Sequence, residues 1–193
     1  MSLRFESLTG EAIAPIIEGL AALRIRVFRD WPYLYDGDAD YEASYLRVYQ
    51  DNPRAVIAAA FDDDRLVGAA TGLPLADADP EFQAAFDGQE ISDIFYCAES
   101  VLLPGYRGQG AGHRFFDLRE EHARGLGFRR ACFCGVIRPE NHPARPADYR
   151  PLDGFWRTRG YAPMPGVTAR FGWRDIGAKE ETEKPMQFWM KEL

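Results

Sequence analysis

The sequence predicts a mixed α/β (α+β) sheet in a single domain spanning residues 1–193. Three observations carry that expectation. The chain alternates between stretches with helical periodicity and short apolar runs with strand character. Its 193 residues, 46% hydrophobic, suffice for one sizeable core and are short for two. A strand, a glycine-rich turn and a helix start also follow one another directly over residues 99–113.

Leu3–Ser7 alternates as a strand does. After Thr9-Gly10-Glu11, apolar residues recur at Ile13, Ile16, Ile17, Leu20, Leu23 and Val27, which predicts an amphipathic helix ended by Asp30-Trp31-Pro32. The aromatic turn Tyr33–Asp38 follows, and is either a core plug or a pocket wall. Tyr41, Tyr45 and Tyr49 form a tyrosine stripe on a second helix that runs to Asn52-Pro53. Ala55–Phe61 and Leu66–Leu75, joined by Asp62-Asp63-Asp64, read as a β-hairpin. A short helix is expected around Glu81–Phe86, then a central strand Phe95–Leu103 before Pro104-Gly105. Ala111–Leu126 reads as a helix of about four turns, with Phe115, Leu118, His122 and Leu126 on its inner face and Gly125-Leu126-Gly127 as its stop. The strand Ala131–Ile137, a proline-broken connection over 138–151, a short helix Leu152–Arg159 and two strands, Val167–Trp173 and Met186–Met190, complete the order β-α-α-β-β-β-α-β-α-β-β.

Composition narrows the function classes. A net charge of −7 argues against nucleic acid as partner. The three cysteines do not form a disulfide framework, the N-terminus lacks a signal-peptide pattern, and no apolar run reaches the ~20 residues of a membrane span. A cytoplasmic protein without a membrane partner is expected. Residues 104–159 are the basic exception, with eleven arginines against six acidic residues, although arginine supplies twenty of the chain's twenty-three cations.

The chemistry concentrates in Glu99–His113. Gly108, Gly110 and Gly112 let a ligand approach the backbone, and the N–H groups opening the following helix suit a pyrophosphate. No Lys-Ser/Thr follows, so this is not a Walker loop, and the spacing is not G-x-G-x-x-G. Arg107-Gly108-Gln109-Gly110-Ala111-Gly112 instead resembles the R/Q-x-x-G-x-G/A motif of the GNAT superfamily of acyl-CoA N-acyltransferases. The likeness extends to the strand ending in Leu102-Leu103-Pro104, the helix ending at Gly127-Phe128, the next strand, and Arg159-Gly160-Tyr161 before the terminal hairpin.

The resemblance implies a mostly antiparallel sheet, flanked by helices and splayed between strands 95–103 and 131–137. Acetyl-CoA would enter as acyl donor, touching Leu102, Leu103, Arg107, Gly108, Gln109, Gly110, Ala111, Gly112, His113 and Asn141. A backbone amide near Leu103 would polarise the thioester carbonyl. The implied reaction is direct transfer of an acetyl group to a primary amine of a small molecule in a ternary complex. Two alternatives stand beside it: a non-catalytic acyl-CoA-binding or regulatory module, and a protein-lysine or N-terminal acetyltransferase.

For the chemistry itself, Glu99 is the first candidate base, on the same strand face as Leu103. His142, with an unperturbed pKa of about 6.5, is the second. Many family members carry a tyrosine acid four residues before the glycine of a Gly-Phe/Tyr pair. Here that slot is Trp156, which cannot serve, leaving Tyr161, Tyr149 or solvent. Cys132 and Cys134 with a distant His142 fall short of a zinc set, so no metal is expected. Tyr33, Tyr35 and Asp36, with Asp38, suit a cationic amine acceptor, and a packed aromatic plug is the competing reading. Arg138, Arg145 and Arg150 could face an acceptor carboxylate, a CoA phosphate or the acidic N-terminal half. The terminal strand Met186–Met190 could pair across a homodimer or close its own sheet.

Overall fold

The computed structural model describes residues 3–193. Its strands are β1 (Arg4–Leu8), β2 (Val56–Asp62), β3 (Arg65–Pro74), β4 (Ile94–Tyr96), β5 (Ser100–Leu102), β6 (Arg130–Val136), β7 (Ala162–Arg174) and β8 (Glu181–Glu192). Its α-helices are α1 (Ile17–Phe28), α2 (Ala39–Asp51), α3 (Pro80–Ala84), α4 (Ala111–Gly125) and α5 (Asp153–Thr158). Strands run in the order β1-β2-β3-β4-β6-β8-β7, with β5 also on β3, and every pairing is antiparallel except β4 with β6. That parallel pair requires a crossover, and α4 lies within it. Among the described residues no helix is long and apolar enough to cross a membrane.

The apolar runs account for the centre of the sheet. Val56–Phe61 and Val67–Pro74 are buried at every position, as strands covered on both faces must be. Asp62 pairs with Arg65, so the connection is the two-residue turn Asp63-Asp64, with Asp63 at φ +52°. One core lies toward α1 and α2; a second, built on Phe95, Phe116, Phe133, Tyr161 and Trp189, lies toward α4.

The feature that shapes the site interrupts the expected strand 95–103. Ala98 N donates to Thr71 O and Thr71 N donates to Glu99 O, each at 3.0 Å, so two residues oppose one in a β-bulge. Before it, β4 pairs with β6 as far as Tyr96↔Cys132, ending with Cys97 N→Cys132 O at 2.7 Å. After it, β5 stays with β3 while β6 stays with β8 as far as Val136↔Met186. The two central strands therefore separate, leaving a wedge between Ser100–Leu102 and Phe133–Val136.

Other expectations need correction. The helix expected over 13–27 is a 3₁₀ segment, Gly10–Ile16, followed by α1, because Pro15 lacks the N–H that a continuous helix would need. The inner face of α4 holds Phe115, Phe116, Arg119, Glu120 and Ala123, while Leu126 is exposed. The charged stretch 175–184 is strand only from Glu181, where β8 begins, with Glu181 and Glu183 exposed on the terminal hairpin.

Candidate active site

The glycine-rich segment opens α4. Gly108 and Gly110 take φ of +75° and +84°, left-handed values that L side chains avoid, and the space where their Cβ atoms would stand is open. Arg107 Nε donates to Leu102 O at 3.2 Å and Gln109 Nε2 to Gly105 O at 3.1 Å, fixing the loop to the end of the wedge. Helical bonding begins only with His113 N and Arg114 N, both to Gly110 O, and the first turn contains no acid. The preceding amides and the positive end of the helix dipole thus form an exposed anion cradle. Phe155 packs against Gly112, where a Cβ would stand 3.2 Å from its ring, and lies edge-on to His113.

Along the wedge, hydrogen bonding selects which amides are available. Leu103 N donates to Val67 O at 3.0 Å, so the amide expected to polarise a thioester is already engaged. Antiparallel alternation turns the backbone groups of Ser100 and Leu102 to the other side, toward β6. Arg119, fully buried on α4, fixes this geometry by donating to Phe115 O, Thr71 O, Glu99 O and Ser100 Oγ, each at 3.1 Å.

At the bulge the wedge meets a cavity of about 640 Å³ bounded by α1, α2, the segment 33–38, β7 and β8. Tyr33, Tyr35, Tyr45, Phe82, Tyr96, Phe171 and Trp173 supply its aromatic walls. On its floor Arg24 forms ion pairs with both Glu42 and Glu99, and its guanidinium lies 4.6 Å from the Tyr45 ring. Tyr45 donates to Glu99 Oε2 at 3.3 Å, and its hydroxyl lies 3.0 Å from that of Tyr49. Glu42 is completely buried, with Oε1 lacking a hydrogen-bond partner. Two carboxylates against one guanidinium leave the floor negative. At the rim, Asp36 pairs with Arg174 at 2.9 Å and Asp38 accepts from Tyr41 N. Burial pushes the phenols of Tyr33, Tyr45 and Tyr96 upward, so all three are neutral donors at physiological pH.

The structure brings Glu99, Tyr33, Tyr35 and Asp36 together around this cavity and leaves other candidates outside it. Tyr161 is buried in the α4-side core, where it donates to Glu120 Oε1 at 3.1 Å. His142 lies tilted against Trp31, and its Nδ1 accepts from Ala144 N at 3.1 Å. Asn141 is exposed in the same loop, and Tyr149 packs edge-on to Trp31. Trp156 lies over Gly135 on the β6 side of the wedge, against Phe133 and Trp189. Arg138 is held inside the fold, where it pairs with Asp175 and donates to Pro32 O and Tyr33 O. Cys132 and Cys134 are buried, and burial pushes the Cys134 thiol up to about 12.

Sequence reasoning missed Arg24, Glu42, Tyr45, Tyr96 and Trp173. A signal existed for the charged pair: Arg24 is four residues from both Leu20 and Phe28, and Glu42 is four from Leu46 and seven from Tyr49. Each charge interrupts an apolar helix stripe.

The comparisons agree with this architecture. Residues 22–147 match the model of the acetyltransferase (GNAT) family. Among solved structures, a ribosomal-protein-alanine N-acetyltransferase from Brucella melitensis superposes with a TM-score of 0.62 at 16% identity, covering 100% of both chains. The PaiA N-acetyltransferase of Thermoplasma acidophilum, in complex with coenzyme A, gives 0.55 at 14% identity and also covers 100% of both. An acetyltransferase of Salmonella typhimurium, with its cofactor acetyl-CoA, gives 0.61 at 12% identity and covers 100% of this chain and 95% of its own. No curated protein sequence matches the chain.

Proposed function

Because the chain belongs to the acetyltransferase (GNAT) family, we propose that it transfers an acetyl group from acetyl-CoA to the primary amine of a small molecule within a ternary complex. The observation that carries this reading is the meeting of wedge and cavity at residues 96–99, which offers donor and acceptor separate approaches to one point. The pyrophosphate rests on the Gly108–Gly112 cradle, and the pantetheine arm runs along the Ser100 and Leu102 backbone. The thioester carbon reaches the bulge.

The acceptor enters from the other side. Aromatic walls and a negative floor suit a single ammonium on a flat apolar body. Glu99 takes the proton that the amine must lose. Arg24 engages its Oε1, leaving Oε2, held only by the long bond from Tyr45, to face the acceptor. A half-open cavity of about 640 Å³ with aromatic walls suits a small molecule better than a protein side chain presented on a broad groove.

Calorimetric titration with acetyl-CoA, followed by thiol release against a panel of amines, tests the reading. Micromolar binding with amine-dependent release is expected; binding without release from any amine would overturn the transferase assignment. In Glu99→Gln, turnover should fall about 100-fold, with acetyl-CoA affinity unchanged.

A further inference from the structure

The leaving thiolate needs a partner that the usual tyrosine slot, occupied by Trp156, does not supply. We infer that the Tyr96 hydroxyl supplies it, donating a hydrogen bond to the coenzyme A sulfur as the carbon–sulfur bond breaks. The inference rests on the acetyltransferase reading above and adds a residue to it.

Placement is the main argument. Tyr96 is the last residue of β4 paired with β6, opposite Cys132. Its hydroxyl lies 3.2 Å from Cys134 Sγ, two residues farther along β6 and beyond the end of the pairing. The phenol therefore leans forward across the opening of the wedge. Tyr96 also lines the acceptor cavity, three residues before Glu99. A thioester brought down the wedge to the bulge would come to this hydroxyl from one side and to the Glu99 carboxylate from the other.

The present partner supports the assignment. Cys134 offers a neutral thiol, and burial keeps it protonated. A sulfur is a weak hydrogen-bond partner, so the phenol can exchange it for a sulfur carrying developing negative charge at a net gain. Burial also keeps the phenol protonated. Tyr96 therefore acts as a donor that keeps its proton.

The step balances without an added reagent. The amine nitrogen forms the bond to the acetyl carbon and yields its proton to Glu99. The carbon–sulfur pair leaves with sulfur, stabilised by the Tyr96 O–H. The thiolate then takes a proton from water, and Glu99 returns one to water.

The test compares Tyr96→Phe, Cys134→Ala and the unaltered protein, all checked for fold by circular dichroism. Each is titrated with coenzyme A and with desulfo-coenzyme A, and each is assayed for amine-dependent thiol release. Tyr96→Phe is expected to lower kcat about ten-fold or more, to leave acetyl-CoA affinity within about two-fold, and to erase the preference for coenzyme A over its desulfo analogue. Cys134→Ala should keep both the preference and most of the rate. Equal losses in the two variants would make the Tyr96–Cys134 contact merely structural and overturn the assignment, as would a Tyr96→Phe protein with undiminished rate and preference. If the unaltered protein prefers coenzyme A but transfers to no amine, the transferase reading fails while the sulfur contact stands. If it binds neither coenzyme, both fail.

Discussion

Arg24 and Glu42 occupy positions on α1 and α2 where an apolar residue would ordinarily pack, and each is tolerated because the other neutralises it. Removing Glu42 takes away the fully buried one of Arg24's two partners and leaves the guanidinium only the partly buried Glu99. Glu42→Gln is therefore expected to cost about 3 kcal/mol, read from the urea midpoint at constant m-value. Glu6→Gln, at the half-exposed Arg4–Glu6 pair, should move it by less than about 0.5 kcal/mol. A Glu42→Gln shift as small as that of Glu6→Gln would mean that solvent reaches the cavity floor and screens the pair. The cavity floor changes too, since Arg24 would then pair with Glu99 alone and the floor would lose its net negative charge.

At the scale of elements, two junctions set the site. The turn into α4 depends on left-handed backbone at Gly110, so Gly110→Asp adds both strain and a carboxylate where an anion should rest. The expected outcome is loss of measurable acetyl-CoA binding by calorimetry, with a melting temperature within a few degrees of the parent. The parallel pair begins where Asp93 O accepts from both Arg129 N and Arg130 N and the Asp93 carboxylate bonds Arg130. That hydrogen bond holds the Asp93 carboxyl below the usual carboxylate range. The folded state thus binds this proton less readily than the unfolded chain. Its contribution is complete above about pH 4 and disappears as pH falls through the lowered folded value. Asp93→Asn should flatten the acid limb of a stability-versus-pH curve while leaving its shape above pH 5 unchanged.

These junctions also mark how far the sequence could be read. The hairpin 56–74, α2, α4 and the glycine turn were legible because periodicity and turn residues are local. The bulge was not, since Glu99-Ser100 within Phe95–Leu103 fits a half-buried strand equally well, and the break is fixed from outside by Thr71 and by Arg119 on another element. Among site residues, Glu99, Tyr33, Tyr35 and Asp36 could be proposed from strand face and aromatic composition. Tyr96 could not, because only the partner strand shows that it stands at the last paired position. Tyr161 was attractive as the tyrosine of the Gly160-Tyr161 pair, near the Trp156 slot, yet the buried Glu120 claims its hydroxyl.

Taken whole, the molecule closes its aromatic cavity by joining distant parts of the chain. Trp173 Nε1 donates to Tyr33 O, Asp36 N to Arg174 O and Ile176 N to Leu34 O, and Arg138 bridges Asp175 to the carbonyls of Pro32 and Tyr33. Arg138→Ala would leave Pro32 O without its donor, while Tyr33 O keeps Trp173 Nε1 and Asp175 keeps Lys184, at about 1–3 kcal/mol. It should raise KM for the amine several-fold while acetyl-CoA affinity stays within two-fold; an equal loss for both ligands would show that the clasp supports the entire sheet. No such division is expected for Arg150, exposed in the same basic stretch.

That clasp also orders events in time. Trp173 and Tyr33 are 140 residues apart, and β8 enters the sheet between β6 and the earlier-made β7. During synthesis the strands around the glycine turn leave the ribosome well before the segment that completes the aromatic wall. A nascent chain can therefore assemble the glycine turn and its anion cradle while the aromatic cavity stays open, and the long loop closure falls at the end of folding.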